Sequence, residues 1–150
     1  MPYHLAMPPR EARDPNRRAR RVKLTDVVAS PVNRRCSLKD CLFCKFVRGE
    51  IPPKKAYEDD SVLAFHDIKP MAPTHVLVIP KEHVASIDAL EPRHAEVAGK
   101  LFLAAAKVAK SLNLGTGYRC VVNNGPDAGQ TVFHVHMHLL GGRGFSWPPG

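Results

Sequence analysis

His134-Val135-His136-Met137-His138, followed by Leu139-Leu140-Gly141-Gly142-Arg143, places three histidines at every second position. Period two is the strand period. The three imidazoles are therefore predicted on one face, about 6.8 Å apart, with Phe133, Val135, Met137 and Leu139 on the other. The second face reads as core. A sheet has little structural use for three imidazoles in a row, because each brings two nitrogens that need polar partners once buried. The run predicts either metal binding or the handling of phosphate and protons.

Directly before it stands Asn123-Asn124-Gly125-Pro126-Asp127-Ala128-Gly129-Gln130-Thr131. Glycines let backbone N–H groups approach an anion closely, and Asn123 and Thr131 add neutral side-chain donors. Such a loop alone is an ordinary turn. Beside three histidines it reads as a phosphate cradle.

Upstream, Asp40 to Val47 predicts a short helix stopped by Gly49 and the Ile51-Pro52-Pro53 turn. Strands are predicted at Ala56–Glu58, Val62–His66 and His75–Ile79, separated by Asp59-Asp60 and by 70–73. Pro92 suits the first turn of a helix. Val97, Leu101, Ala105, Val108 and Leu112 then recur at helical spacing, with Asn113 and Gly115 as the stop. A strand at Tyr118–Asn123, the polar loop and the histidine strand follow. One helix among strands with hairpin-like links predicts an α+β fold with a largely antiparallel sheet.

The totals fit this domain. An apolar fraction of 44% with 24% charged residues is that of a globular protein that needs no bilayer, and no apolar run approaches the roughly 20 residues of a membrane span. Net charge is +8, but residues 1–35 hold nine Lys/Arg against three acids. Residues 36–150 hold thirteen against eleven, so the domain is near neutral and the basic character belongs to an N-terminal arm. Its prolines and the run Arg17-Arg18-Ala19-Arg20-Arg21 predict disorder. Three readings compete for the arm: a solvated tail (or a start placed too early, Met7 being another candidate), a nucleic-acid arm, and a transit peptide, which its acids and prolines oppose. The N-terminus also lacks the apolar stretch of a secretory signal. Four cysteines, Cys36, Cys41, Cys44 and Cys120, are too irregular for a disulfide framework, so a reducing, cytoplasmic setting is expected. Cys41 and Cys44 have the C-x2-C spacing of a zinc half-site; the alternatives are a redox pair, which lacks its βαβ context, or two buried thiols.

The stretch Gln130-Thr131-Val132-Phe133-His134-Val135-His136-Met137-His138 resembles the histidine triad, H-φ-H-φ-H-φ-φ with φ apolar, of the HIT family of nucleotide-binding hydrolases and transferases. Glu50-Ile51-Pro52, Ala64-Phe65-His66-Asp67-Ile68 and Pro73-Thr74-His75-Val76-Leu77-Val78-Ile79-Pro80-Lys81 support the likeness. The Gly141-Gly142-Arg143 and Trp147-Pro148-Pro149-Gly150 ending is similar to the Hint branch, the purine nucleoside phosphoramidases. The resemblance implies the HIT fold over 36–150: a five-stranded, largely antiparallel sheet, a long helix and a short N-terminal helix, in chains that form homodimers. It implies His136 as the nucleophile that takes a nucleotidyl group from a purine nucleoside phosphoramidate, with His75 orienting and His138 donating to phosphate oxygens or the leaving group. Phe65, His66 and Ile68 match the base pocket, Asp67 the ribose contact, and Asn123, Gly129, Gln130 and Thr131 the phosphate contacts. Trp147 matches a residue that reaches toward the partner's site. Some bacterial members hold Zn2+ on residues that match Cys41, Cys44, His83 and His134; such a zinc would be structural and not required for catalysis. His94 and His4 read as bystanders, His94 on an exposed helix face.

Other classes stay in view. The same site suits a nucleotide-binding scaffold with incidental turnover, or a dinucleoside polyphosphate hydrolase. A metalloenzyme using the triad as ligands lacks an evident carboxylate beside it. No membrane partner is expected, and nucleic acid only through the arm.

Overall fold

The structure, a computed structural model, describes residues 40–149, so the expectations for the arm, Cys36 and His4 lie outside the described residues. Five strands, β1 (Lys55–Glu58), β2 (Val62–His66), β3 (Thr74–Pro80), β4 (Tyr118–Val121) and β5 (Met137–Gly141), form one sheet in the order β1-β2-β3-β5-β4. Every neighbouring pair is antiparallel. Helix α1 (Leu42–Val47) precedes the sheet, and helix α2 (Ala95–Ser111) links β3 to β4.

Alternation along the central strands divides two cores. Val62, Ala64, Val76, Val78, Met137 and Leu139 pack on α2 through Leu101, Ala104, Ala105, Val108 and Ala109. The intervening residues Leu63, Phe65, Leu77 and Ile79 face the other way, onto Phe43 and the Cys41–Cys44 pair. Both faces of β2 and β3 are covered, so these strands read as continuous apolar runs. The β1–β2 turn is held by Asp59, whose Oδ1 accepts the N–H groups of Ser61 (2.9 Å) and Val62 (2.8 Å). Those bonds, Ser61's first, hold its carboxyl down at about 2.

Three expectations need correction. The histidine run is not one regular strand: pairing begins only at Met137, opposite Val78. Farther along β3 stands Pro80, which has no N–H for the ladder, and its carbonyl is taken by His134 Nε2 (2.8 Å). The Val135 N–H turns to Val84 O (2.7 Å), so the chain peels away before His136. Strand β4 likewise stops at Val121, leaving Asn123 in the loop. Finally, His94 is only 3% exposed; it ends a short 3-10 turn at Pro92–His94, and its Nδ1 accepts the Glu91 N–H at 2.8 Å. The helix proper starts one residue later and ends as predicted before Asn113, whose φ of 56° is left-handed.

Candidate active site and metal cluster

All three triad histidines project to the α1 side of the sheet, but each meets a different environment. His136 is buried, and its Nδ1 lies 2.7 Å from the His134 carbonyl. A carbonyl only accepts, so Nδ1 carries the proton and Nε2 keeps its lone pair. Phe43 packs edge-on against the ring, at 5.3 Å between centroids and 80° between planes. Burial pushes the imidazolium pKa down, with the His134 carbonyl and Asp67 opposing. The uncharged ring is the stable form at neutral pH.

His138 lies beside it, with ring centroids 5.0 Å apart. Its Nδ1 is 2.8 Å from His75 Nε2. Burial, then the neighbouring His136 and His75, lowers its pKa to about 4. His75 is also buried; its Nδ1 is 3.2 Å from the Met71 N–H, and Asp67 Oδ2 is 3.6 Å from its Nε2. Burial lowers the His75 pKa against the pull of Asp67. The resemblance led to His75 as the group that fixes the second nitrogen of His136. The structure gives that task to the His134 carbonyl and sets His75 against His138.

The glycine loop borders the triad. Gly125 and Gly129 have φ of 83° and 84°, a region where a side chain is strained, and they flank a short 3-10 turn at Pro126–Ala128. A side chain at Gly129 would meet Asn123 Nδ2 at 3.9 Å. Thr131 is exposed. Gln130 differs from expectation: it is buried, its Oε1 accepts the Gly125 N–H (2.9 Å), and its Nε2 donates to Ala85 O and Val132 O. Its side chain braces the loop and has little left for a ligand. Phe65 is likewise 3% exposed, packed on Phe43 and Phe46, so it belongs to the core and not to an open wall. His66 and Asp67 are half-buried at the end of β2, whereas Ile68 and Trp147 are exposed.

The third histidine faces a separate cluster. His134 is fully buried, and donation from Nε2 to Pro80 O leaves Nδ1 as a lone pair directed at Cys41, Cys44 and His83. His134 Nδ1 is 3.5 Å from Cys41 Sγ and 3.6 Å from Cys44 Sγ; His83 Nδ1 is 3.2 Å from both Cys44 Sγ and His134 Nδ1. A tetrahedral zinc with Zn–S about 2.3 Å and Zn–N about 2.05 Å puts S···N edges near ~3.5 Å and N···N edges near ~3.3 Å. The four residues fit such an ion in donor type and in spacing. Burial lowers the pKa of His83 and brings that of His134 to about 4, so neither ring is an ammonium-like competitor for it. His136 and His138 stand outside the cluster.

Sequence reasoning did not find Phe43 as the wall behind His136, nor the Met71 N–H at His75. Phe43 carried a signal, an aromatic inside the C-x2-C motif; a main-chain donor carries none.

A glycine loop thus stands in sequence directly before a buried histidine, His136, whose Nδ1 faces a carbonyl, with a second histidine, His138, beside it. The family model for the HIT domain matches residues 48–145, and the chain belongs to that family. It is 48% identical to the 14 kDa zinc-binding protein of Zea mays, over 78% of this chain and 93% of that one. It is 45% identical to the adenylylsulfatase HINT1 of Arabidopsis thaliana, covering 73% of this chain and 76% of that protein. Among solved structures, a HIT family hydrolase from Legionella pneumophila Philadelphia 1 superposes with a TM-score of 0.72 at 48% identity, covering 73% of this chain and 99% of that chain. Among the described residues no helix is long and apolar enough to cross a membrane.

Proposed function

We propose that this protein is a nucleotidyl hydrolase that cleaves purine nucleoside phosphoramidates through a nucleotidyl-His136 intermediate. One observation carries the reading: His136 is held uncharged, with Nδ1–H spent on the His134 carbonyl, directly beside His138. In the first step Nε2 of His136 attacks the α-phosphorus. The P–N bond breaks, and the amine departs with that electron pair and takes up a proton supplied by solvent. His138 donates a hydrogen bond to the phosphate oxygen or the leaving atom. Water then attacks phosphorus, His136 leaves with the P–Nε2 pair, and the water's proton balances the one consumed. Asn123, Gly129 and Thr131 bind phosphate, Asp67 binds the ribose hydroxyls, and His66 and Ile68 border the base.

The name of the Arabidopsis relative supports a second reading, hydrolysis of adenylyl sulfate at the same site. Sulfate departs as a stable anion and needs no proton, whereas an amine takes one from solvent, so comparing turnover of the two substrates separates the readings. Rapid mixing with an AMP phosphoramidate, followed by intact-protein mass spectrometry, should show a transient adduct of one nucleotidyl mass that is absent in His136→Ala. No adduct with either substrate, alongside tight AMP binding, supports a scaffold instead.

The low pKa of His138 and the depressed pKa of His75 set a pH expectation. Groups that stay neutral below the ordinary imidazole value of about 6.5 keep the site in its active form as pH falls through that value. kcat/KM should be flat from pH 7.5 to 6.5 and fall only at lower pH. A midpoint at or above 6.5 contradicts it.

Further parts of the reading are proposals of the same kind. The Cys41–Cys44–His83–His134 cluster holds a structural Zn2+, which suits a reducing, cytoplasmic setting. Residues 1–35 are a basic N-terminal arm and residues 36–150 the HIT domain. Two copies pair through the edge strand β4, whose outer side is left without a neighbour in the sheet.

A further inference from the structure

His136 and His138 are neighbouring neutral imidazoles, yet the proposed reaction needs opposite things from them: a lone pair from one Nε2 and an N–H from the other. Nothing in the side chains themselves makes that distinction. It must come from whatever each Nδ1 meets. For His136 the partner is a carbonyl, which accepts. For His138 it is another histidine, which is free to be either donor or acceptor until something fixes it in turn.

The loop between β2 and β3 supplies the fixed point. The Met71 main-chain N–H lies 3.2 Å from His75 Nδ1. A peptide N–H only donates, so Nδ1 of His75 is the unprotonated acceptor and its single proton sits on Nε2. That Nε2–H is 2.8 Å from His138 Nδ1. Asp67 Oδ2, the competing acceptor, is farther at 3.6 Å. His138 Nδ1 accepts, so its own proton is on Nε2, on the far side of the ring from His75. A reversed chain sets a His75 N–H against the Met71 N–H, two donors face to face with no acceptor between them.

We propose that the Met71 main-chain N–H is the tautomer-setting element of this active site, acting through His75 to make His138 a permanent Nε2–H donor. His75 is then a positioning residue, and Met71 contributes through its backbone while its side chain is exposed. The same loop is tied to His75 a second time, by the Asp67 N–H donating to His75 O at 3.0 Å. Asp67 is the ribose carboxylate of the proposed function, on which this inference rests. The segment that holds the sugar therefore also sets the donor, and losing the Met71 N–H alone should reach kcat while nucleotide binding stays nearly unchanged.

The test is two-bond 1H–15N correlation spectroscopy of the full chain labelled with 15N-histidine, at pH 7. His75 and His138 should both appear as Nε2–H tautomers and His136 as Nδ1–H. A protonated Nδ1 on His138, or an imidazolium there, overturns the proposal. Met71→Pro deletes the N–H at a position already preceded by Pro70, and Met71→Ala keeps it. The proline variant should show mixed tautomers at His75 and His138, with kcat down about three- to tenfold and KM within about twofold. The alanine variant should retain the wild-type tautomers. An unchanged single tautomer in Met71→Pro also overturns the proposal, and if that variant does not fold the wild-type spectrum decides alone. The adduct experiment reads the reaction and the spectrum reads the relay, so the two can fail separately.

Discussion

Replacing His136 with glycine is expected to lower kcat/KM for an AMP phosphoramidate by about 10^4-fold or more, while AMP binds within a few-fold of wild type. The size follows from the role: losing a covalent nucleophile removes the reaction path itself, and such losses exceed those of groups that only stabilise charge. His136 also lies among Phe43, His134 and His138, so the substitution leaves a ring-shaped vacancy beside the glycine loop. Added imidazole should enter it and restore part of the activity, releasing nucleotide as a free imidazolide that hydrolyses in solution. Glycine serves better than alanine here because it frees the most room. A variant that keeps more than about 1% of wild-type turnover without imidazole rules out His136 as the nucleophile.

Cys44→Ser is expected to have the second large effect, on stability. The purified protein should carry one zinc per chain by elemental analysis, and the variant close to none. An ion held at a hundred to a thousand times its Kd contributes about 3–4 kcal/mol to the folded state. For a domain of this size that corresponds to a fall in Tm on the order of 10 °C. Prolonged chelation of the wild type should reproduce the fall, and zinc should reverse it. Turnover below the melting range should drop by less than about tenfold, since neither His136 nor His138 belongs to the cluster. Some loss is expected because His134 both faces the cluster and offers the carbonyl that holds His136. Zinc-free protein with an unchanged Tm removes the metal site from the account. Loss of all turnover on chelation instead favours a catalytic metal.

The two effects meet at His134, whose position shows where reading the chain stops. Period-two spacing placed three imidazoles on one face, and they do share it. The same spacing predicted equal environments, yet the three rings meet a Cys/His cluster, a main-chain carbonyl and another histidine. The difference begins past Val78, where the β3–β5 pairing ends; there Pro80 offers a carbonyl, which His134 Nε2 takes, and no N–H. Nothing within 134–138 signals that. His94 makes the same point from the helix side: its spacing suggested exposure, and the Glu91 N–H on its Nδ1 fixes it at the buried start of α2.

What the chain determined by itself is whatever depends on neighbours close in sequence. Alternation made the strands and divided their faces, helical spacing made α2, Asn113 stopped it, and the triad with its glycine loop marked the site. Tertiary structure alone decided the chemistry of each ring. Whether an imidazole nitrogen holds a lone pair or a proton depends on the group placed against its other nitrogen. Those groups (a carbonyl freed by an interrupted strand, a main-chain N–H on the β2–β3 loop, thiols about ninety residues away) are brought there only by folding.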